Sequence, residues 1–155
     1  MSTDPNHNTP TDAQQRAVDC IRQAERIILS GHVRPDGDCI GAEAALALGL
    51  EKLGKEVWIL NPDPPEPQFD YLTERSTYRS YRAGADLPAH DLSILLDASE
   101  LSRCGDLGEK LRAAPSKKLV IDHHVHSGDD WWDEAFVDVT ASATGLLVRR
   151  VLRAL

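Results

Sequence analysis

Four short, nearly continuous apolar runs, each ending at a polar residue, constrain this chain more than any other feature: residues 27–29 (IIL), 57–60 (VWIL), 92–96 (LSILL) and 118–121 (KLVI). Runs of this length without strict alternation suit strands buried on both faces, as in a parallel sheet. The segments between them read as helices or connections. Thr11 can cap a helix that runs through Ala24, with Ala17, Ile21 and Ala24 on one face. Residues 39–53 are mostly small and apolar, and Gly54 follows where a helix C-cap belongs. Residues 61–67 hold four prolines and must form an extended connection. A further helix is expected over 107–113 and a fifth strand over 136–139. Ser142 or Thr144 can cap a last helix in which Leu146, Leu147, Val151 and Leu155 recur at helical spacing. Strands alternating with helices predict an α/β fold, a mainly parallel sheet with helices on both faces.

At 155 residues the chain fits one domain. Residues 1–10, rich in Asn, Thr and Pro, read as a disordered tail before a domain spanning 11–155. No apolar run is long enough to cross a bilayer and no signal peptide is visible, so the expectation is a cytoplasmic protein with no membrane partner. Cys20, Cys39 and Cys104 lie far apart without a CxxC pair, which speaks against a zinc knuckle or a disulfide framework. The net charge of -8 repels polyanions at long range, so any nucleic-acid binding must be local.

In an open parallel sheet, ligands bind beyond the C-terminal ends of the strands. Those positions here hold His32, Asp36 and Asp38 after the first run, Asp97 after the third, and Asp122, His123 and His124 after the fourth. Asp and His from three strand ends are the ligand chemistry of a hard or borderline divalent cation such as Mn2+. Taken singly, Asp36-Gly37-Asp38 also suits a turn with capping carboxylates, Asp97 a capped turn, and either histidine a structural role. Placement on one edge favours the metal site, because uncompensated carboxylates clustered there would repel one another.

The motifs also resemble those of the DHH phosphoesterases, a family that includes RecJ-type exonucleases, nanoRNase/pAp phosphatases, cyclic-dinucleotide phosphodiesterases and, more distantly, family II inorganic pyrophosphatases. Residues 32–41 (HVRPDGDCIG) look like the first motif, 97–103 (DASELSR) like the second, and 121–124 (IDHH) like the third. Residues 136–147 (FVDVTASATGLL) are similar to the segment that follows in the nanoRNase branch. The resemblance implies a Rossmann-like domain binding two Mn2+ ions, Mg2+ being the other candidate, with His32 and Asp36 on one ion, Asp38 and His123 on the second, and Asp97 bridging. It implies that His124 faces the substrate phosphate, and that two such ions activate a water and neutralise phosphate oxygens.

Arg34 and Arg103 are placed to clamp phosphate, although surface salt bridges would explain them too. Asp122 reads as the group that orients the neighbouring histidines. Asp138, Ser142 and Thr144 could line the cleft, and the Trp131-Trp132 pair either stacks a base or packs on the sheet. Short RNA or nucleotide phosphates are the implied substrates, pyrophosphate the alternative, and a homodimer is possible. Relatives carry a further aspartate and a second, substrate-binding domain past the last helix seen here, and neither is expected within residues 1–155. A binding module that turns nothing over is therefore the competing reading.

Overall fold

The computed structural model describes residues 11–76, 78–128 and 130–155, so the tail expected over 1–10 lies outside the described residues. Six parallel strands form one sheet: β1 (Arg26–Ser30), β2 (Glu56–Asn61), β3 (Tyr78–Ser80), β4 (Leu92–Leu96), β5 (Lys117–Asp122) and β6 (Glu134–Val137), in the order β3-β2-β1-β4-β5-β6. The chain builds outward from β1 to β3, then returns to place β4 on the other side of β1. The switch in direction leaves a crevice between the ends of β1 and β4.

Among the described residues, five α-helices flank the sheet: α1 (Asp12–Gln23), α2 (Gly37–Lys52), α3 (Asp70–Thr73), α4 (Gly105–Ala113) and α5 (Thr144–Ala154). Alternate strand residues, Ile27 and Leu29, Val57 and Ile59, Leu92, Ile94 and Leu96, Leu119 and Ile121, pack with α1, α2 and α5 into the main core. The intervening residues face α4 and the loops: Ile28 and Leu60 meet Leu107 and Leu111, while Leu95 and Val120 meet Cys104 and the two adjacent tryptophans. Each fully buried Leu or Ile contributes roughly 1.5–3 kcal/mol. Helices on both faces are thus what the apolar runs predict.

Local chemistry sets the helix ends. The Thr11 hydroxyl accepts from the Gln14 amide at 3.1 Å and starts α1 as expected. Gly54 takes φ +81° just past α2, in the left-handed conformation that terminates helices. Within α2, Gly49 exists for packing: a Cβ there would stand 2.3 Å from Leu152 Cδ2 of α5. All three cysteines are buried free thiols.

Several boundaries differ from the sequence expectation. Helix α2 begins at Gly37 rather than Cys39, because the Asp36 carboxylate accepts from the Asp38 and Cys39 amides at 3.1 Å each. β6 lies two residues earlier than expected. The proline-rich connection ends in a 3-10 turn (Pro67–Phe69) running into α3, and the edge strand β3 follows. Neither Ser142 nor Thr144 caps α5: its N-cap is Ala143, whose side chain contributes no hydrogen bond.

Candidate metal centre

The expected ligands meet at the β1/β4 crevice, and Asp97 is their hub. It follows β4 directly, is 1% exposed, and adopts φ +60°, a left-handed conformation that non-glycine residues rarely take. Backbone strain of this kind persists where the surroundings over-determine it. Here they do: the Asp97 amide donates to Ile121 O at 3.1 Å, and Oδ1 accepts from the Thr144 hydroxyl at 2.9 Å. The turn aims one carboxylate at two histidines. Asp97 Oδ2 lies 3.5 Å from His32 Nε2, and Oδ1 lies 3.5 Å from His123 Nε2.

The two sides are filled by α2. Asp36 Oδ1 stands 4.0 Å from His32 Nε2, and Asp38 Oδ2 stands 3.6 Å from His123 Nε2. Asp38 also caps α5, accepting from the Thr144 amide at 2.7 Å and the Gly145 amide at 2.9 Å. The helix dipole at the start of α5 and the Asp38 carboxylate therefore neutralise one another. His32, Asp36 and Asp97 form one group able to hold a metal ion, and Asp97, His123 and His124 form a second.

Other bonds orient the imidazoles. His32 Nδ1 pairs with Val33 O at 2.8 Å and His123 Nδ1 with Ala141 O at 3.2 Å, leaving Nε2 of both rings toward Asp97. The fully buried Asp122 accepts from the His123 and His124 amides and pairs with His124 Nδ1 at 2.7 Å. Its carboxylate thus touches the His124 ring. The His123 ring is held by a backbone carbonyl instead, a correction to the expectation that Asp122 serves both histidines. His124 Nδ1 also approaches Asp97 Oδ1 at 3.8 Å.

Charge in this crevice is unbalanced. Asp36, Asp38, Asp97 and Asp122 converge, yet among the described residues no lysine or arginine forms an ion pair with any of them. Buried carboxylates without a cationic partner are costly, and Asp122 Oδ2 has no hydrogen-bond partner at all. Burial pushes the Asp97 carboxyl up, but hydrogen bonds from His32 and Thr144 and the nearby His124 outweigh it and hold the group below its ordinary value. The His32 imidazole is correspondingly raised by its bond to Asp97, against the opposing effect of burial. Carboxylate and imidazole donors without side-chain counterions fit divalent cations.

Both candidate phosphate clamps are exposed and lie near this edge. Arg34, at φ +51°, is fixed through its amide, which donates to Asp63 Oδ2 at 2.8 Å. Arg103 accepts from the Val33 amide through its carbonyl at 2.7 Å, next to the His32 loop. The Asp138 carboxylate is taken up by the Thr140 hydroxyl and by Arg150 at 2.9 Å, and Ser142 is exposed. Trp131 and Trp132 are both half-buried against the sheet, Trp131 donating to Ser99 O at 2.8 Å. Sequence reasoning weighed Thr144 only as a cap or cleft residue and did not consider Glu43 or Asn61. Asn61 Oδ1 accepts from the Gly31 amide at 2.7 Å and its Nδ2 donates to Glu43 Oε2 at 2.8 Å, bracing the residue before His32.

A parallel α/β sheet whose switch point gathers aspartates and histidines defines the class to which this molecule belongs. The family model of the DHH family, N-terminal domain, matches residues 26–153, and the chain belongs to that family. The bifunctional oligoribonuclease and PAP phosphatase NrnA of Mycoplasma pneumoniae is 29% identical over 126 residues, which cover 80% of this chain and 38% of that protein. The protein of the same name from Bacillus subtilis is 30% identical over 129 residues, covering 80% and 37%. This chain therefore spans less than two fifths of the length of these curated relatives.

Among solved structures, an exopolyphosphatase-related protein from Bacteroides fragilis superposes with a TM-score of 0.79 at 25% identity, covering 92% of this chain and 43% of that one. Exonuclease RecJ bound to manganese gives 0.61 at 19% identity, covering 97% and 39%, a likeness of fold. Among the described residues no helix is long and apolar enough to cross a membrane.

Proposed function

We propose that this domain is a metal-dependent phosphoesterase that hydrolyses short oligoribonucleotides or 3',5'-bisphosphate nucleotides, using two divalent cations, with Mn2+ preferred to Mg2+. The observation that carries this reading is Asp97, whose two carboxylate oxygens each face a different histidine at 3.5 Å. A carboxylate so divided suits a bridge between two ions, with His32 and Asp36 on one side and His123 and Asp38 on the other. Two cations held there would acidify water and offset charge building on the phosphate oxygens. Histidine nitrogen among the donors favours Mn2+, since Mg2+ prefers an all-oxygen shell.

The chain's own groups supply the rest. With Nδ1 tied to Asp122, Nε2 is the working atom of the half-exposed His124 ring. From Nε2 the ring can donate to a phosphate oxygen or leaving group. Arg34 and Arg103 offer planar, bidentate donors to the same phosphate. The oligoribonucleotide and nucleotide-phosphate classes draw support from the two relatives named for those activities.

The test is hydrolysis of a labelled dinucleotide-to-pentanucleotide RNA series and of a 3',5'-bisphosphate nucleotide, with Mn2+ or chelator and Asp36→Ala as the control. Metal-dependent turnover lost in that variant is expected. Bound Mn2+ without turnover would contradict the enzyme reading and leave a binding module.

A further inference from the structure

The outer edge of the sheet carries a feature that the metal centre does not use. Residues 71–82 (YLTERSTYRSYR) contain all three tyrosines of the chain and three arginines against one glutamate, in a protein of net charge -8. On the α4 face of β2, Trp58 and Leu60 floor a cavity of about 210 Å³, walled by Tyr81 and rimmed by Arg79, Arg82 and Asp86. Sites for drug-sized ligands run to roughly 300–1,000 Å³, so this one is scaled to a single ring system.

The arginines at its rim, like most arginines among the described residues, form no ion pair, and they differ from the others in standing beside aromatic rings. Arg16, Arg22, Arg150 and Lys110 all pair with carboxylates, and the rim acid Asp86 is itself the partner of Lys110 at 3.9 Å. Among the described residues, the exposed side chains of Arg79 and Arg82 make neither a hydrogen bond nor an ion pair. Trp58 and Tyr81 remain half-buried, packed by one side on the small cluster around Ile28 and Leu107. Aromatic faces beside free guanidinium groups are the chemistry that holds single-stranded nucleic acid, by stacking on bases and pairing with phosphates.

Two hydrogen bonds of Asn61 link the wall of the cavity to the residue before His32. The Tyr81 amide donates to Asn61 O at 2.9 Å, and the Asn61 side chain accepts from the Gly31 amide, one residue before His32. β3 stands two strand spacings from β1, about 10 Å, on the same sheet as the metal centre. We infer that Trp58, Tyr81, Arg79 and Arg82 form a second substrate subsite that stacks a base and holds a phosphate of an oligonucleotide whose scissile phosphate lies at the metal centre. This rests on the oligonucleotide reading of the active site.

The experiment measures binding of a labelled RNA pentamer by fluorescence anisotropy, in chelator so that nothing is cleaved. The parent chain is compared with Arg79→Ala/Arg82→Ala across a salt series. The double variant should bind about tenfold more weakly, within the range for losing stacking support and a phosphate contact. Its slope of log K against log salt should shrink by about 0.7, one single-strand phosphate contact. Hydrolysis of a 3',5'-bisphosphate mononucleotide, too short to reach the outer edge, should be unchanged. Equal pentamer affinity and slope would overturn the subsite and leave the rim for a protein partner, and an equal loss of bisphosphate turnover would overturn it as a separate site. Failure of the parent to bind the pentamer in chelator also overturns it, whereas failure of the parent to hydrolyse anything strikes the activity and not the subsite.

Discussion

The crevice at the centre of the sheet and the sheet's outer edge handle charge in opposite ways. At the β1/β4 crevice, four aspartates and three histidines are locked by backbone amides, carbonyls and the Thr144 hydroxyl, and Asp97 and Asp122 are buried. At the β2/β3 edge, Arg79 and Arg82 stand exposed beside aromatic rings, with no ion pair among the described residues. Fixing groups in place costs conformational entropy once, during folding, and prepares a site for small hard ions whose geometry is demanding. A flexible chain ligand tolerates looser, solvated contacts. The contrast is between a central crevice whose charged groups the fold fixes and an outer edge whose arginines it leaves in solvent.

The largest effect should come from the hub. Asp97→Ala removes the carboxylate shared by both candidate metal groups and leaves the buried Thr144 hydroxyl unpaired. Calorimetry should show Mn2+ affinity weaker by about 100-fold or more, in line with loss of a shared ligand and its supporting contacts, and turnover should vanish. Unchanged Mn2+ binding would dissolve the contrast between the crevice and the edge.

Glu43 tests how far the rigid crevice extends inward. It is fully buried, its Oε1 has no hydrogen-bond partner, and burial raises its carboxyl to about 8 despite the Asn61 hydrogen bond. The folded protein therefore keeps a proton that the unfolded chain releases. This contribution to stability is complete below the ordinary glutamate range and is lost as pH rises toward 8. Glu43→Gln should match the parent at pH near 5 and exceed it at pH near 8 by a few kcal/mol, read from thermal melts in chelator. A parent that is no less stable at the higher pH would show that Glu43 is not held neutral.

A smaller change is expected for Asp38→Asn, which keeps a side-chain acceptor for the α5 amides but removes a charged ligand. Thermal stability should fall by about 0.5–1 kcal/mol, the scale of a weakened helix cap and dipole contact, while Mn2+ affinity falls far more. Equal losses in both would make Asp38 a cap and nothing else.

Much of this was legible beforehand, for physical reasons. The strands β1, β2, β4 and β5 announce themselves because burial on both faces demands continuous apolar residues, and the ligand-bearing positions follow because ligands gather at strand ends. β3 does not, since Tyr78–Ser80 is a three-residue edge strand with one flank in solvent and no apolar pattern. The α5 cap was hidden because its acceptor, Asp38, lies 106 residues from Thr144, whereas capping rules read only neighbours. Asn61 and Glu43 were missed for the same reason: a polar pair 18 residues apart in sequence looks like surface until the fold buries it.

The most direct measurement is anomalous diffraction at the manganese edge from crystals of the chain soaked in Mn2+. Two peaks flanking the Asp97 carboxylate are predicted, one beside His32 and Asp36 and the other beside His123 and Asp38. A single peak, or none within coordinating distance of Asp97, would contradict the two-metal centre.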